Sequence, residues 1–486
     1  MYKCFKPEQF IIKDKNIEKM IKANNGKKNE QIKSTQMSNI GVTHDSKKDA
    51  YKMKANIFIK YALTRVIARE NDEGIWFYNF VTKMYENLSE DKYKKIFFTI
   101  INRVSADIWD VSMEKKYVAY FKKIVKQFPT DGNTAGILQF DNCLIDFNGE
   151  EVKVLELSPE YYCNYHIPYS YDEDAKCEKF MKFLNEIFEN DQQRIDLIQE
   201  IMGACLYYEK CAQNLVVFLG NGANGKSVLA STIKHMLGEK NVSSIAIDQL
   251  SGNRFSKQNL DKKLLNISSE VNVNKIYSTS DIKTLTGGDS VEIEQKFKNS
   301  YTAEIYCKYI LLANDMIQTD DCSEGFYRRL IIIPFNVHFL DPVPGKEEEG
   351  KHYKNHFIES EMMDELPGIF NFALEGYYRL WDNGYIFSKP DACEEALEQF
   401  KKEHNKVKAF VSDRIDIVGT AGKDYIASSA IYDEFESYCR HNRFRERISR
   451  KEFHKLLKQM IETEGLDIQK IKRSNGEIYK GMKFKD

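Results

Sequence analysis

Gly220-Asn221-Gly222-Ala223-Asn224-Gly225-Lys226-Ser227 puts three glycines, an ammonium and a hydroxyl into eight consecutive residues. Glycines let the backbone turn its N–H groups inward. The lysine sets a point charge among an anion's oxygens, and the hydroxyl is an oxygen ligand for a hard cation. The apolar run Leu215–Leu219 precedes the loop, and a helical pattern to Leu237 follows it. A helix starting near Lys226 adds its positive dipole end. This strand–loop–helix context predicts a nucleoside triphosphate site with Mg²⁺ on Ser227, its contacts running from Gly220 to Val228.

A phosphate loop needs an acid and a polar partner. "KKLLNISSEVN" ends a strand-like run at Ser269-Glu270, 44 residues beyond Lys226. A carboxylate there polarises the attacking water or supports the metal shell. "KYILLANDMI" ends a further strand at Asn314. Its amide can orient a water or bond the γ-phosphate, although asparagine after a strand also serves turns. "EGFYRRLIIIPF" sets Arg328 and Arg329 before another apolar strand. Either can stabilise transition-state charge on a neighbouring subunit's nucleotide, or simply cap the strand.

These residues must be positioned by a sizeable chain. Its 486 residues exceed what one core supports, so two to four domains are expected. With 42% hydrophobic and 30% charged residues, the composition is that of a globular protein. The net charge of −2 indicates no particular partner. No apolar run reaches the roughly 18 residues of a membrane span, and the N-terminus lacks a signal-peptide core, so an intracellular protein without membrane contact is expected. The ten cysteines form no CxxC pair, which favours free thiols over a zinc site.

Patterning divides the chain into five stretches. Residues 1–50, with 11 lysines against 6 acids, read as a basic flexible arm. Residues 51–175 read as mainly helical with a small β segment, "IWFYNFVTKMYENL" being assigned to helix and Asn148-Gly149 to a hairpin turn. Residues 176–210 read as a helical collar, and 211–389 as an α/β motor domain of alternating strands and helices. Residues 390–486 predict two amphipathic helices and a hairpin tipped by Asn475-Gly476, the pattern of a winged helix. From Arg440 onward 14 basic residues face 7 acidic ones, so DNA contact and a plain solvated surface are both open.

The order "GNGANGKS", "LLNISSE", "KTLTGGDSVEIEQKFKN", "ILLAND", "FYRRLIIIPF" resembles the superfamily 3 helicases, in particular their poxvirus-type and phage/plasmid primase-helicase branches. "LTGGD" followed by basic residues is the most specific part, and the resemblance covers roughly residues 70–486. It implies an AAA+-type P-loop motor assembling as a ring, usually a hexamer, with ATP between subunits and single-stranded DNA through the centre, moving 3′ to 5′. It makes Lys226 and Ser227 the Walker A pair, Glu270 the Walker B acid, Asn314 the sensor, and Arg328 or Arg329 the finger acting in trans. Lys296 and Lys298 fall where the family has its DNA-contacting hairpin. The family often has two acids where this chain has Ser269-Glu270, and the segment before Tyr51 is too short for a primase domain, so priming is expected from a separate protein of the replisome. Unwinding of forked DNA is the first reading. A remodelling or packaging ATPase and an origin-binding initiator are the alternatives.

Overall fold

A computed structural model describes residues 5–12, 38–45, 50–103, 108–128, 136–148, 151–207, 214–246, 249, 256–269, 283–284, 286–287, 290–294, 300–316, 323–342, 351–442, 444, 448–474 and 476–485. The chain divides into two compact units, Met1–Glu173 and Asp174–Asp486.

The first unit begins with the antiparallel pair β1 (Val42–Asp45) and β2 (Ala50–Met53), then α1 (Ala55–Leu63). β3 (Ala68–Asn71), β4 (Gly74–Asn79) and β5 (Met84–Asn87) lead into α2 (Glu90–Asn102) and α3 (Glu114–Ile124). β6 (Lys126–Gln127) completes a four-stranded sheet of order β5-β4-β3-β6. A second sheet follows, from β7 (Ile137–Gln139), β8 (Leu144–Asp146), β9 (Lys153–Leu155) and β10 (Tyr165–His166). Apolar residues at helical spacing bury one face of each helix: Phe58, Ile96, Phe97, Ile101 and Phe121 are fully buried in one core.

This unit corrects two expectations. It is mixed α/β rather than mainly helical, because "IWFYNFVTKMYENL" is the β4–β5 hairpin. Its aromatic and β-branched run suits a pleated surface. The Asn79 side-chain oxygen accepts from the backbone N–H groups of Val81 and Thr82 at 2.9 and 3.2 Å, a local turn that competes with helix. The basic arm is also partly structured. Phe10, Ile11, Ile40 and Val42 are buried in the core, and the Phe80 N–H donates to the Gln9 carbonyl at 2.8 Å. Four apolar side chains outweigh the surrounding lysines.

The second unit opens with α4 (Glu178–Phe188) and α5 (Gln192–Ala204), the expected helical collar. β11 (Leu215–Leu219), α6 (Lys226–Leu237), β12 (Val242–Ser243), β13 (Leu265–Ser268), the hairpin β14 (Ser290–Ile293) and β15 (Tyr301–Glu304), β16 (Lys308–Ala313), the short α7 (Glu324–Tyr327) and β17 (Leu330–Pro334) follow. Five of these strands form one sheet of order β12-β13-β16-β11-β17, every pairing parallel. Near-continuous apolar runs such as Leu-Val-Val-Phe-Leu in β11 belong to a parallel sheet covered on both faces.

Beyond the sheet lie β18 (Phe339–Leu340), β19 (His352–Tyr353), α8 (Ile358–Met363), α9 (Leu366–Asp382) and α10 (Asp391–His404). Phe400 of α10 is buried in the same core as β11, β16 and β17, with its ring 6.1 Å from that of Tyr327. The boundary expected at residue 390 therefore moves to the end of α10. The last module comprises α11 (Lys406–Arg414), β20 (Ile415–Ile417), β21 (Tyr425–Ala427), α12 (Ser428–His441), α13 (Arg450–Glu464), β22 (Gln469–Arg473), β23 (Gly476–Lys480) and β24 (Met482–Phe484). Phe410, Phe435, Phe453 and Tyr479 fill its core. Ser449 caps α13 by accepting from the Glu452 N–H at 3.2 Å, and Gly465 ends it in the left-handed conformation. The β22–β23 hairpin pairs up to Arg473 opposite Gly476, so Gly476 starts the return strand; Asn475 lies outside the described residues. Gly149 of the other expected turn lies outside them too, while Asp146 pairs with Lys153 across that hairpin.

Helices α5 and α9 pack backbone to backbone. A Cβ on Gly376 would sit 1.9 Å from the Gln199 carbonyl oxygen, and one on Gly203 2.2 Å from the Tyr377 nitrogen. In an ordinary helix interior, alanine for glycine stabilises by about 1 kcal/mol. Here Gly376→Ala is expected to destabilise by about 1–3 kcal/mol through overpacking, and urea denaturation followed by circular dichroism checks the sign.

Candidate functional site

The parallel register assembles the site. Leu219 lies opposite Ala313, and Ser268 opposite Leu311, so β11, β13 and β16 end at the same sheet edge. The chain leaves those ends as Gly220, Ser269 and Asn314. β11 lies between β16 and β17, where the strand order departs from chain order, and ligands of open α/β sheets bind at that kind of crevice beyond the strand ends.

A cleft of about 640 Å³ occupies the crevice. Gly222, Ala223, Asn224, Gly225, Lys226, Ser227 and Val228 line it, with Ser269, Asn314 and Asp315. Phe183, Phe339, Tyr353 and Ile358 add apolar lining, and Glu186, Lys354 and Asn355 polar lining. Sequence reasoning missed these side chains. No local motif marks these side chains; α4 and the β18–β19 pair meet the loop only after folding.

Loop backbone and packing are coupled at Gly225. Its φ is +87°, and a Cβ there would meet the Ile187 methyl at 2.6 Å. It precedes α6, whose first N–H groups have no intrahelical acceptor and open toward the cleft. Lys226 is 5% exposed, and its Nζ donates to the Gly220 carbonyl at 2.5 Å and to Asn224 Oδ1 at 3.0 Å. Burial holds its pKa below the ordinary lysine value. Ser227 is exposed within the cleft.

Behind the loop, Arg194 ties the collar to the sheet. It is 5% exposed and donates to the Pro334 carbonyl at 2.9 Å, the Phe188 carbonyl at 3.0 Å and Asp191 Oδ2 at 2.7 Å. One guanidinium thus joins the end of α4, the start of α5 and the end of β17.

Of the residues anticipated from sequence, the glycine-rich loop and Asn314 come together. Arg328 and Arg329 do not join them: they precede β17, and the Leu215 N–H at the start of β11 donates to the Arg329 carbonyl at 2.7 Å. The pair therefore sits at the opposite sheet edge, a strand length of about 17 Å from the loop of its own chain. Arg329 donates back to the Gly325 carbonyl, whereas Arg328 is exposed. Glu270, Lys296 and Lys298 lie outside the described residues; the two lysines belong to the connection between the paired Ile293 and Tyr301.

The donors fit a polyphosphate: one buried ammonium and a helix N-terminus. For Mg²⁺, Ser227 would offer an oxygen ligand, and Glu186 and Asp315 are the carboxylates lining the cleft among the described residues. Those residues contain no cluster of three or more His, Cys, Asp or Glu side chains that would hold a metal alone, so a divalent ion here would share its coordination with phosphate oxygens.

Comparison with known proteins adds the family. The family described as "D5 N terminal like" matches residues 46–189, and a family of unknown function (DUF5906) matches residues 218–329. A protein of Acanthamoeba polyphaga mimivirus named "Putative helicase" is 24% identical over 287 residues, 56% of this chain and 29% of that protein. A "Putative helicase" of Invertebrate iridescent virus 6 is 24% identical over 62% of this chain and 34% of its own length. A "Putative primase" of African swine fever virus is 22% identical over 41% and 22%. These matches support a D5-type, superfamily 3 helicase-like protein. It matches about a third or less of the length of these viral relatives. The apo A form of the NrS-1 C-terminal region shares the fold at 14% identity, with a TM-score of 0.50 over 88% of this chain and 99% of that one. Among the described residues no helix is long and apolar enough to cross a membrane.

Gly225→Ala tests the coupling of loop and collar. The left-handed backbone alone costs a side chain about 1–2 kcal/mol, and the Ile187 methyl blocks the Cβ. A fluorescent ATP analogue is expected to bind about tenfold more weakly or worse while circular dichroism stays unchanged. Equal affinity would show that the loop tolerates a different backbone path.

Proposed function

We propose that this chain hydrolyses ATP in the cleft and uses the energy to move along single-stranded DNA as a ring-forming replicative helicase of a virus, phage, plasmid or other mobile element, acting inside the cell on forked DNA. One observation carries the reading: the phosphate loop, Ser269 and Asn314 converge at one sheet edge while the arginine pair stands at the other. Arginines that stand a strand length from the loop of their own chain suit active sites completed between subunits.

In this reading the N–H groups of Ala223–Lys226 and the Lys226 ammonium hold the β- and γ-phosphates. Phe339, Tyr353 and Ile358 cover the base. Glu270 polarises the attacking water, and Asn314 orients it. Mg²⁺, on Ser227 with Glu270 in its shell, neutralises phosphate charge when bound. Arg328 reaches the neighbour's γ-phosphate, because Arg329 is engaged by its own helix. The C-terminal module, with its helices and basic hairpin, is the expected winged helix for DNA, and a primase is an expected partner.

Lys226→Ala is expected to abolish ATP hydrolysis and unwinding with the fold retained. Mixing it with Arg328→Ala should restore part of the ATPase, since the second subunit keeps its loop and the first supplies its arginine. Loss of a finger costs about 10³-fold or more in turnover, so rescue stands clear of background. Arg329→Ala is expected to lower stability rather than to enter this complementation. Mixtures that co-assemble without rescue refute the shared site; hydrolysis without unwinding of forked DNA would favour the remodelling ATPase.

Lys296→Ala and Lys298→Ala are expected to weaken single-stranded DNA binding evenly across sequences. Each should lower the slope of log affinity against log salt by about one, measured by fluorescence anisotropy. An unchanged slope moves the DNA path away from this hairpin.

A further inference from the structure

Lys226 Nζ has two acceptors within its own loop. It donates to Asn224 Oδ1 at 3.0 Å, and Asn224 is itself 4% exposed. The amide's other end donates from Nδ2 to the Phe335 carbonyl at 3.3 Å. An ammonium only donates and a carbonyl only accepts, so the two partners fix which end of the amide faces which. Gly220 makes room for this side chain: a Cβ there would stand 2.3 Å from Asn224 Nδ2 and 2.5 Å from the Phe335 oxygen. The first glycine of the loop therefore serves an amide folded across it as well as an approaching phosphate.

We propose that Asn224 is a positioning residue that parks the Lys226 ammonium inside the empty loop and competes with the nucleotide's phosphates for it, so that it favours release of the diphosphate product. The proposal rests on the cleft being the nucleotide site. A buried ammonium needs acceptors. In the empty loop it has Gly220 O and Asn224 Oδ1. A triphosphate offers several charged oxygens and outbids both. Once the γ-phosphate has left, fewer charged acceptors remain, and the neutral pair regains weight. Anchorage on Phe335, just beyond β17, keeps the amide in place whichever partner the lysine has.

The full chain is used, with a fluorescent ADP analogue, a fluorescent ATP analogue and thermal melts without nucleotide. Asn224→Ala removes an acceptor from the empty state alone. It is expected to lower the melting temperature of the nucleotide-free protein yet bind ADP on the order of tenfold more tightly and release it more slowly, with a smaller gain for ATP. In a Lys226→Met background, Asn224→Ala should lower the melting temperature much less, because no ammonium is left without a partner. A purely structural asparagine would cost the same in both backgrounds and would not tighten ADP. Weaker ADP binding by Asn224→Ala, with wild type binding normally, overturns the proposal and places the amide on the nucleotide. Unchanged affinity and equal melting costs overturn it too. If wild type binds neither analogue, the nucleotide site itself fails and the handover with it.

Discussion

The parallel register of β13, β16 and β11 is the constraint on which the rest depends. Pairing Leu219 with Ala313 and Ser268 with Leu311 brings three loop ends to one edge, although they are far apart in the chain. Side chains in a strand alternate with a period of two, so a slip by one residue would send the apolar set to the wrong face and misalign the three exits. Burial on both faces makes that slip costly. Positional accuracy at the cleft is thus inherited from hydrophobic packing several ångströms below it.

The second layer of support is the collar. α4 sets Ile187 against Gly225 and Phe183 against the cleft, while Arg194 fastens the end of α4 to the end of β17. A buried guanidinium is expensive unless it is hydrogen-bonded, and here each of its three nitrogens donates to a different acceptor. Removing a partner of such a group typically costs about 3–5 kcal/mol, so the collar and sheet are held in one arrangement rather than loosely apposed.

Much of the parallel sheet and its loop was readable in advance because its signals are local. A glycine-rich loop between a strand and a helix needs only a dozen residues to declare itself, and the polar residue ending β16 follows from an apolar run that stops. The apolar lining of the cleft was not readable, since Phe183, Phe339 and Tyr353 come from three separate elements and look like ordinary core aromatics. The first unit misled for a different reason. Over "IWFYNFVTKMYENL" apolar residues fall at helical spacing, yet β-favouring aromatics and the Asn79 turn decide the outcome. Likewise, charge counting over residues 1–50 missed that a few apolar side chains suffice to anchor a lysine-rich segment.

The junction after α10 is a single residue. α10 ends at His404 and α11 starts at Lys406; between them the Asn405 N–H donates to the Lys401 carbonyl at 3.0 Å, and its side chain caps α11 by accepting from the Lys408 N–H at 3.2 Å. Mechanically this joint has no slack. A domain on a long tether samples a sphere of positions, whereas one on a capped, one-residue elbow moves as a lever arm of the helix before it. Since α10 lies on β17, any tilt of that strand is delivered to the basic helices and hairpin as a rotation, with little lost as play in the joint.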